Sequence, residues 1–195
     1  MRDVLYFGSM LVKTGEADGC LAGAAHTTSD VLRSGLRVVG VAPGVRTVSS
    51  CFIMATDKTD LGEKGMFLFA DCAVNPDPDA EMLADIAIST AENCRKFLGA
   101  EPRIAMLSFS TKGSGSSDST EKMIKATELV KERAPEILID GELQLDAAII
   151  SSIGERKAPS SPVAGRVNVL IFPDLDAGNI GYKLVERFSG AQAIG

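Results

Sequence analysis

The sequence predicts an α/β fold in which a mostly parallel sheet is covered by helices on both faces. Two observations predict it. Short apolar runs bounded by Gly, Pro or charge recur along the chain, and amphipathic stretches of helical length separate them. Strand and helix alternating at this spacing need crossover connections, and crossovers imply parallel strands buried on both sides.

The elements follow in order. Val4–Thr14 and Thr28–Val39 read as helices around one short strand, Gly19–Gly23. A break comes at Val41-Ala42-Pro43-Gly44, and a strand is expected over Val48–Met54. Phe67–Ala70, Ile104–Leu107, Ile137–Ile139 and Val167–Ile171 are further strands, each too short and too apolar for a surface helix. The helix over Ala80–Phe97 has Asp79 as N-cap and Gly99 past its end. It sets Met82, Leu83, Ile86, Ala87, Thr90 and Phe97 on one side. Ser119–Arg133 repeats the pattern with Met123, Ile124, Thr127 and Val130 and stops before Pro135. Ala177–Ser189 is the third, its inner face expected at Ile180, Leu184, Val185 and Phe188. Residues 1–44 hold too little to bury a core alone and read as a piece of something larger.

Composition narrows the function classes. Twenty basic against twenty-six acidic residues give a net charge of −6, with 45% apolar and 24% charged residues, ordinary for a soluble domain. No run of Lys or Arg offers a surface for nucleic acid or anionic lipid. No apolar run approaches the roughly 20 residues that span a bilayer. The start, Met-Arg-Asp-Val-Leu-Tyr-Phe, lacks a signal-peptide pattern, so the expected location is the cytoplasm. Cys20, Cys51, Cys72 and Cys94 form no CxxC pair and there is one His, so no zinc site is expected and the thiols are read as reduced and mostly buried.

Ligands of open parallel sheets bind at the carboxyl ends of strands, and unusual polar residues gather there. Asp71 and Asn75 follow one strand, Asp140 and Glu142 another, Asp174 and Asp176 a third. These acids allow two readings, an oxygen-ligand metal constellation or helix caps and turn formers. The segment Ser108–Ser117 is rich in Ser and Gly, with Lys112 inside it and a helix start after it. It reads either as a phosphate cradle or as a solvated strand-to-helix loop, and its order is not that of a Walker loop. A second anion candidate is His26-Thr27-Thr28-Ser29-Asp30-Val31-Leu32-Arg33. Hydroxyls and free amides open a helix there, and a guanidinium fork follows about one turn on.

Several segments together resemble the phosphate acetyltransferase (phosphotransacetylase) family, of which phosphate butyryltransferase is a close relative. They are Gly19–Arg33, Ala70–Pro76, Ser108–Ser114, Asp140–Gln144 and, most clearly, Val169–Lys183, and they cover the whole chain in family order. The resemblance implies reversible transfer of acetyl between acetyl-CoA and inorganic phosphate, giving acetyl phosphate and coenzyme A, by direct attack of the CoA thiolate. It implies a three-layer α/β/α fold like that of isocitrate and isopropylmalate dehydrogenases, with 1–44 a fragment of the first domain and 45–195 the second. It also implies a cytoplasmic homodimer with coenzyme A as substrate, no permanently bound cofactor and no metal. Arg33 matches the family's phosphate-contacting, catalytic arginine, with Thr27, Thr28 and Ser29 as substrate-binding neighbours.

The family pattern continues beyond Gly195 with a stretch carrying its catalytic Asp, a Ser and an Arg, and another phosphate-site Arg precedes Met1. The expectation is therefore that this chain alone is inactive, since general-base help is typically worth 10²–10⁴ in rate. A different class stays open beside it: a non-catalytic acetyl-CoA-binding or dimerisation domain of phosphotransacetylase type.

Overall fold

The computed structural model describes residues 3–41 and 45–195. The chain divides into two compact units, Met1–Arg46 and Thr47–Gly195. The break expected at Val41–Gly44 falls largely on residues 42–44, outside the described residues.

The first unit contains two helices, α1 (Val4–Thr14) and α2 (Thr28–Val38). Asp3 caps α1 by accepting from the amides of Leu5 and Tyr6, and Gly15 ends it in a left-handed conformation. Small residues bring the helices together: the Ser9 hydroxyl donates to Ser34 Oγ, with both residues buried. Arg37 reaches the Tyr6 hydroxyl at 3.1 Å, and the Lys13 ammonium the carbonyl of Val39 at 3.1 Å. The strand expected at Gly19–Gly23 does not form. Leu21 is 99% exposed, so the segment has neither a partner strand nor a core to face.

The second unit is a six-stranded sheet in a three-layer α/β/α arrangement. Its strands are β1 (Phe52–Ala55), β2 (Met66–Ala70), β3 (Arg103–Leu107), β4 (Leu138–Leu143), β5 (Val169–Ile171) and β6 (Gln192–Ile194), in spatial order β4-β3-β5-β2-β1-β6. The pairs β4/β3, β3/β5 and β5/β2 are parallel, while β1 joins β2 and β6 in antiparallel fashion. The mostly parallel sheet is as expected, and the antiparallel flank is an addition.

Alternation along the strands sorts the core into two layers. Leu68, Ala70, Ile104, Met106, Val169 and Ile171 face one side. There α3 (Ala80–Asn93) and α4 (Asp118–Arg133) cover them with Leu83, Ile86, Met123 and Val130. Phe67, Phe69, Ala105, Leu107 and Leu170 face the other side, under α5 (Leu145–Ile149), α7 (Leu175–Ser189) and the loop carrying Val163 and Val167, with α6 (Ser151–Lys157) packed beside α5.

Two helix faces differ from the expectation. The last turn after α3 widens into a π-turn over Cys94–Leu98, which buries Cys94 and leaves Phe97 51% exposed. On α7, Val185 packs inward as expected, but Ile180, Leu184 and Phe188 are exposed, and Ala177 and Tyr182 take their place against the core. The cause is Gly178: a Cβ there would strike the backbone carbonyl of Asp71, so the helix lies against the end of β2 on its glycine side. Stacking of Tyr182 on Phe52, centroids 4.4 Å apart, fixes the same rotation from β1.

Candidate functional site

In the first unit, the start of α2 links Thr27 and Arg33, which the sequence singles out, through Asp30, which it does not. Thr27 is the N-cap, and its hydroxyl accepts from the Asp30 amide at 3.2 Å and lies 2.7 Å from Asp30 Oδ2, to which it donates. Asp30 Oδ1 accepts from Arg33 Nη1 at 2.8 Å. Thr27, Asp30 and Arg33 thus form a line of linked side chains along one helical turn. The Thr27 hydrogen bond, with the Arg33 cation adding to it, holds the Asp30 carboxyl below its ordinary value.

Thr28 and Ser29 occupy the first helical positions, and their amides have no partner among the described residues. Thr27, Thr28, Ser29 and Arg33 are all exposed, as is His26 in the bend before the cap. Only one of the five guanidinium N–H groups is engaged among the described residues. A cation with open donors beside two open amides is an arrangement that grips an oxyanion. Sequence reasoning passed over Asp30, although Thr27-x-x-Asp30 has capping spacing and Asp30-x-x-Arg33 is an i,i+3 ion pair.

The second unit has a cleft where its topology reverses. The crossovers β2–α3–β3 and β3–α4–β4 run over one face, whereas α5, α6 and α7 lie on the other. The helices that leave β3 and β5 therefore part, and a crevice opens outside the carboxyl ends of these neighbouring strands. It holds about 380 Å³ and is lined by Ser108, Phe109, Ser119, Phe172, Asp174 and Ala177, among others.

The loop Ser108–Ser117 forms one lip of this cleft, and its hydrogen bonds favour the strand-to-helix loop reading over the phosphate cradle. Its amides are already taken: Thr111 N–H by Ser114 Oγ, Gly113 N–H by Glu142 Oε1 and Gly115 N–H by Ser110 Oγ. The Lys112 ammonium donates to Asp140 Oδ1 at 2.7 Å and to the Gly141 carbonyl at 3.3 Å. Ser110 donates to Glu142 Oε1 at 2.7 Å. Asp140 and Glu142, both 2% exposed, stand within β4 rather than after it and pin the loop down. Burial pushes the Asp140 carboxyl up, but its bonds with Lys112 and the Gly141 amide outweigh this and leave it lowered.

Asp71 and Asp174 are engaged in local hydrogen bonds. Asp71 accepts from the Ser50 hydroxyl at 2.5 Å, from the amides of Ala73, Val74 and Asn75, and from the Asn75 side chain. Asp174 caps α7 through the Ala177 amide at 2.8 Å. Among the described residues no three His, Cys, Asp or Glu side chains gather closely enough to share a metal ion. The four cysteines are free; Cys72 and Cys94 are buried, Cys51 is half-buried and Cys20 is exposed. Among the described residues no helix is long and apolar enough to cross a membrane.

The whole chain, residues 1–195, matches the family model described as phosphate acetyl/butaryl transferase. The chain belongs to this family. Within the family, a phosphate acetyltransferase of Thermoanaerobacterium thermosaccharolyticum is 58% identical over all 195 residues of this chain. A phosphotransacetylase structure from Streptococcus pyogenes superposes with a TM-score of 0.91 at 47% identity, covering 100% of this chain and 57% of that one. A branched-chain phosphotransacylase from Enterococcus faecalis V583 superposes with a TM-score of 0.76 at 25% identity, over 99% of this chain and 68% of that one. This chain spans 60% of the length of the Thermoanaerobacterium relative.

Proposed function

We propose that this chain carries part of the substrate site of a phosphate acetyltransferase. The observation that carries the reading is the family match over its whole length, together with 58% identity to a phosphate acetyltransferase. In the reaction, the CoA thiolate attacks the carbonyl carbon of acetyl phosphate. A C–S bond forms, the C–O bond to phosphate breaks, and inorganic phosphate leaves with the electron pair. The thiolate is the attacking species, so the thiol must first lose its proton. Arg33, as the catalytic residue on this chain, neutralises the charge that grows on the leaving phosphate. Thr27, Thr28 and Ser29 hold its oxygens through a hydroxyl and the first amides of α2.

On this reading coenzyme A is a substrate, and neither a permanent cofactor nor a metal takes part. Residues 1–44 belong to the first domain of the family fold and 45–195 to the second. The protein works in the cytoplasm as a homodimer. The exposed Ile180, Leu184 and Phe188 of α7 support the last point, since an apolar stripe of this kind marks an interaction surface.

The test is acetyl-CoA formation from acetyl phosphate and CoA, with butyryl phosphate run beside it. Turnover that Arg33→Ala removes supports the reading. Without turnover, phosphate binding that Arg33→Ala abolishes supports a partial acetyltransferase site, CoA binding with no such phosphate site would favour the non-catalytic acetyl-CoA-binding domain, and a preference for butyryl phosphate would favour a phosphate butyryltransferase.

A further inference from the structure

We propose that an apolar cavity beneath α7, apart from the cleft, binds a small monocarboxylate by its hydrocarbon tail, with Lys58 over the head group. The cavity holds about 180 Å³. Its floor is Met54 of β1, Phe67 and Phe69 of β2 and Leu170 of β5, and its sides are Ile149 of α5 and Val185 of α7. Among the described residues it shares only Leu145 with the cleft at the ends of β3 and β5.

The opening follows from how the helices lie. Helix α5 is five residues long and covers little of this face. Helix α7 brings Val185 and Ser189 to this end of the sheet, while Leu184 and Phe188 are exposed. Small side chains thus stand over the rings of Phe67 and Phe69, where a close-packed core would place large ones. No polar atom is exposed in the walls, so water inside finds no hydrogen-bond partner and a hydrocarbon displaces it favourably.

Size and charge narrow the ligand class. A cavity of about 150 Å³ accommodates a benzene ring, so a tail of about six carbons fits here. Lys58, in the loop between β1 and β2, is the one charged residue of the lining. Its ammonium has no hydrogen bond or ion pair among the described residues; only its backbone amide is engaged, by the Thr56 hydroxyl. The residue is exposed, so its methylene stem can lie along the apolar wall while the ammonium stays in water at the mouth. One cation balances a carboxylate. A phosphate monoester, with a charge of about −1.5 to −2, would be left partly unneutralised.

The 195-residue chain is titrated with hexanoate, hexanol and hexylammonium, followed by methyl NMR at Met54, Ile149 and Val185. Hexanoate and hexanol are expected to shift these methyls saturably. Lys58→Gln weakens hexanoate about three- to fivefold, leaves hexanol unchanged and strengthens hexylammonium. Val185→Phe fills the cavity and removes binding. Ser189→Phe, at an exposed position, closes the mouth and serves the same purpose should Val185→Phe fail to fold. Methyls that no ligand moves in the parent chain overturn the site. Hexanoate that Lys58→Gln does not weaken overturns the assignment of a carboxylate. Methyl shifts that follow protein concentration rather than ligand mean that a second copy fills the cavity, and they overturn the proposal too. None of these results touches phosphate binding at Arg33, so the proposal stands or falls apart from the acyl-transfer reading.

Discussion

Arg33 Nη1 stands 2.8 Å from Oδ1 of Asp30, one turn earlier on α2, and Asp30 is itself tied to the cap residue Thr27. The pair is half-exposed, so its direct contribution to stability is small. What it does is restrict where the guanidinium can be while leaving most of its donors open. Because the native carboxyl titrates below its unfolded value of about 3.9, the link stabilises the folded chain above that value and is lost as pH falls through the lower native one. Arg33→Ala is expected to move the Asp30 titration upward, read from its side-chain carboxyl carbon by NMR. An unmoved midpoint would break the link between the two residues.

Glu142 holds Ser110 and Gly113 through a single buried oxygen. Glu142→Ala strands both donors and is expected to cost about 3 kcal/mol, whereas Glu142→Gln keeps an acceptor and costs about 1 kcal/mol. Urea unfolding reads both. Equal losses for the two variants would mean that the loop does not depend on this oxygen.

Much of the architecture is legible in the sequence, and the failures have physical causes. The long helices are marked by Asp3, Thr27, Asp79 and Asp174 at their starts, all of which cap as side chains. The strand expected over Val48–Met54 forms only at Phe52–Ala55, because Val48 and Ser50 are occupied in holding Asn75 and Asp71. Helices α5 and α6 have five and seven residues, too few for a helical period to show, and β6 is three residues long. At the candidate site, Thr27 to Arg33 stand out because a hydroxyl-rich helix start with a basic residue is a local pattern. The cleft between β3 and β5 is not local: it depends on strand order, which no window of sequence contains.

Burial pushes the thiols of Cys72 and Cys94 up, to about 12 and about 11. At pH 8 about one Cys72 in ten thousand would then be a thiolate, the form that reacts. Iodoacetamide at that pH is expected to label the exposed Cys20 first and to leave Cys72 and Cys94 untouched until denaturant is added. Early loss of Cys72 in a mass-spectrometric time course would show that the end of β2 opens in the native chain.

Ile180, Leu184 and Phe188 form the surface assigned to the proposed homodimer. Phe188→Glu puts a charge at its most exposed position and is expected to weaken association by at least tenfold without changing the melting behaviour of the monomer. Sedimentation equilibrium measures this. A variant as dimeric as the parent would place the interface elsewhere.

On the proposed function, the start of α2 grips phosphate through Arg33, Thr27, Thr28 and Ser29. Titration of inorganic phosphate into the chain, followed at the Thr28 and Ser29 amides and the Arg33 Nε–H by NMR, tests this grip. Saturable shifts are expected at all three groups, those of the two amides being lost in Arg33→Ala and weakened in Arg33→Lys, which cannot reproduce the guanidinium fork. Shifts that persist in Arg33→Ala, or phosphate that leaves these amides unmoved while shifting others, would contradict it.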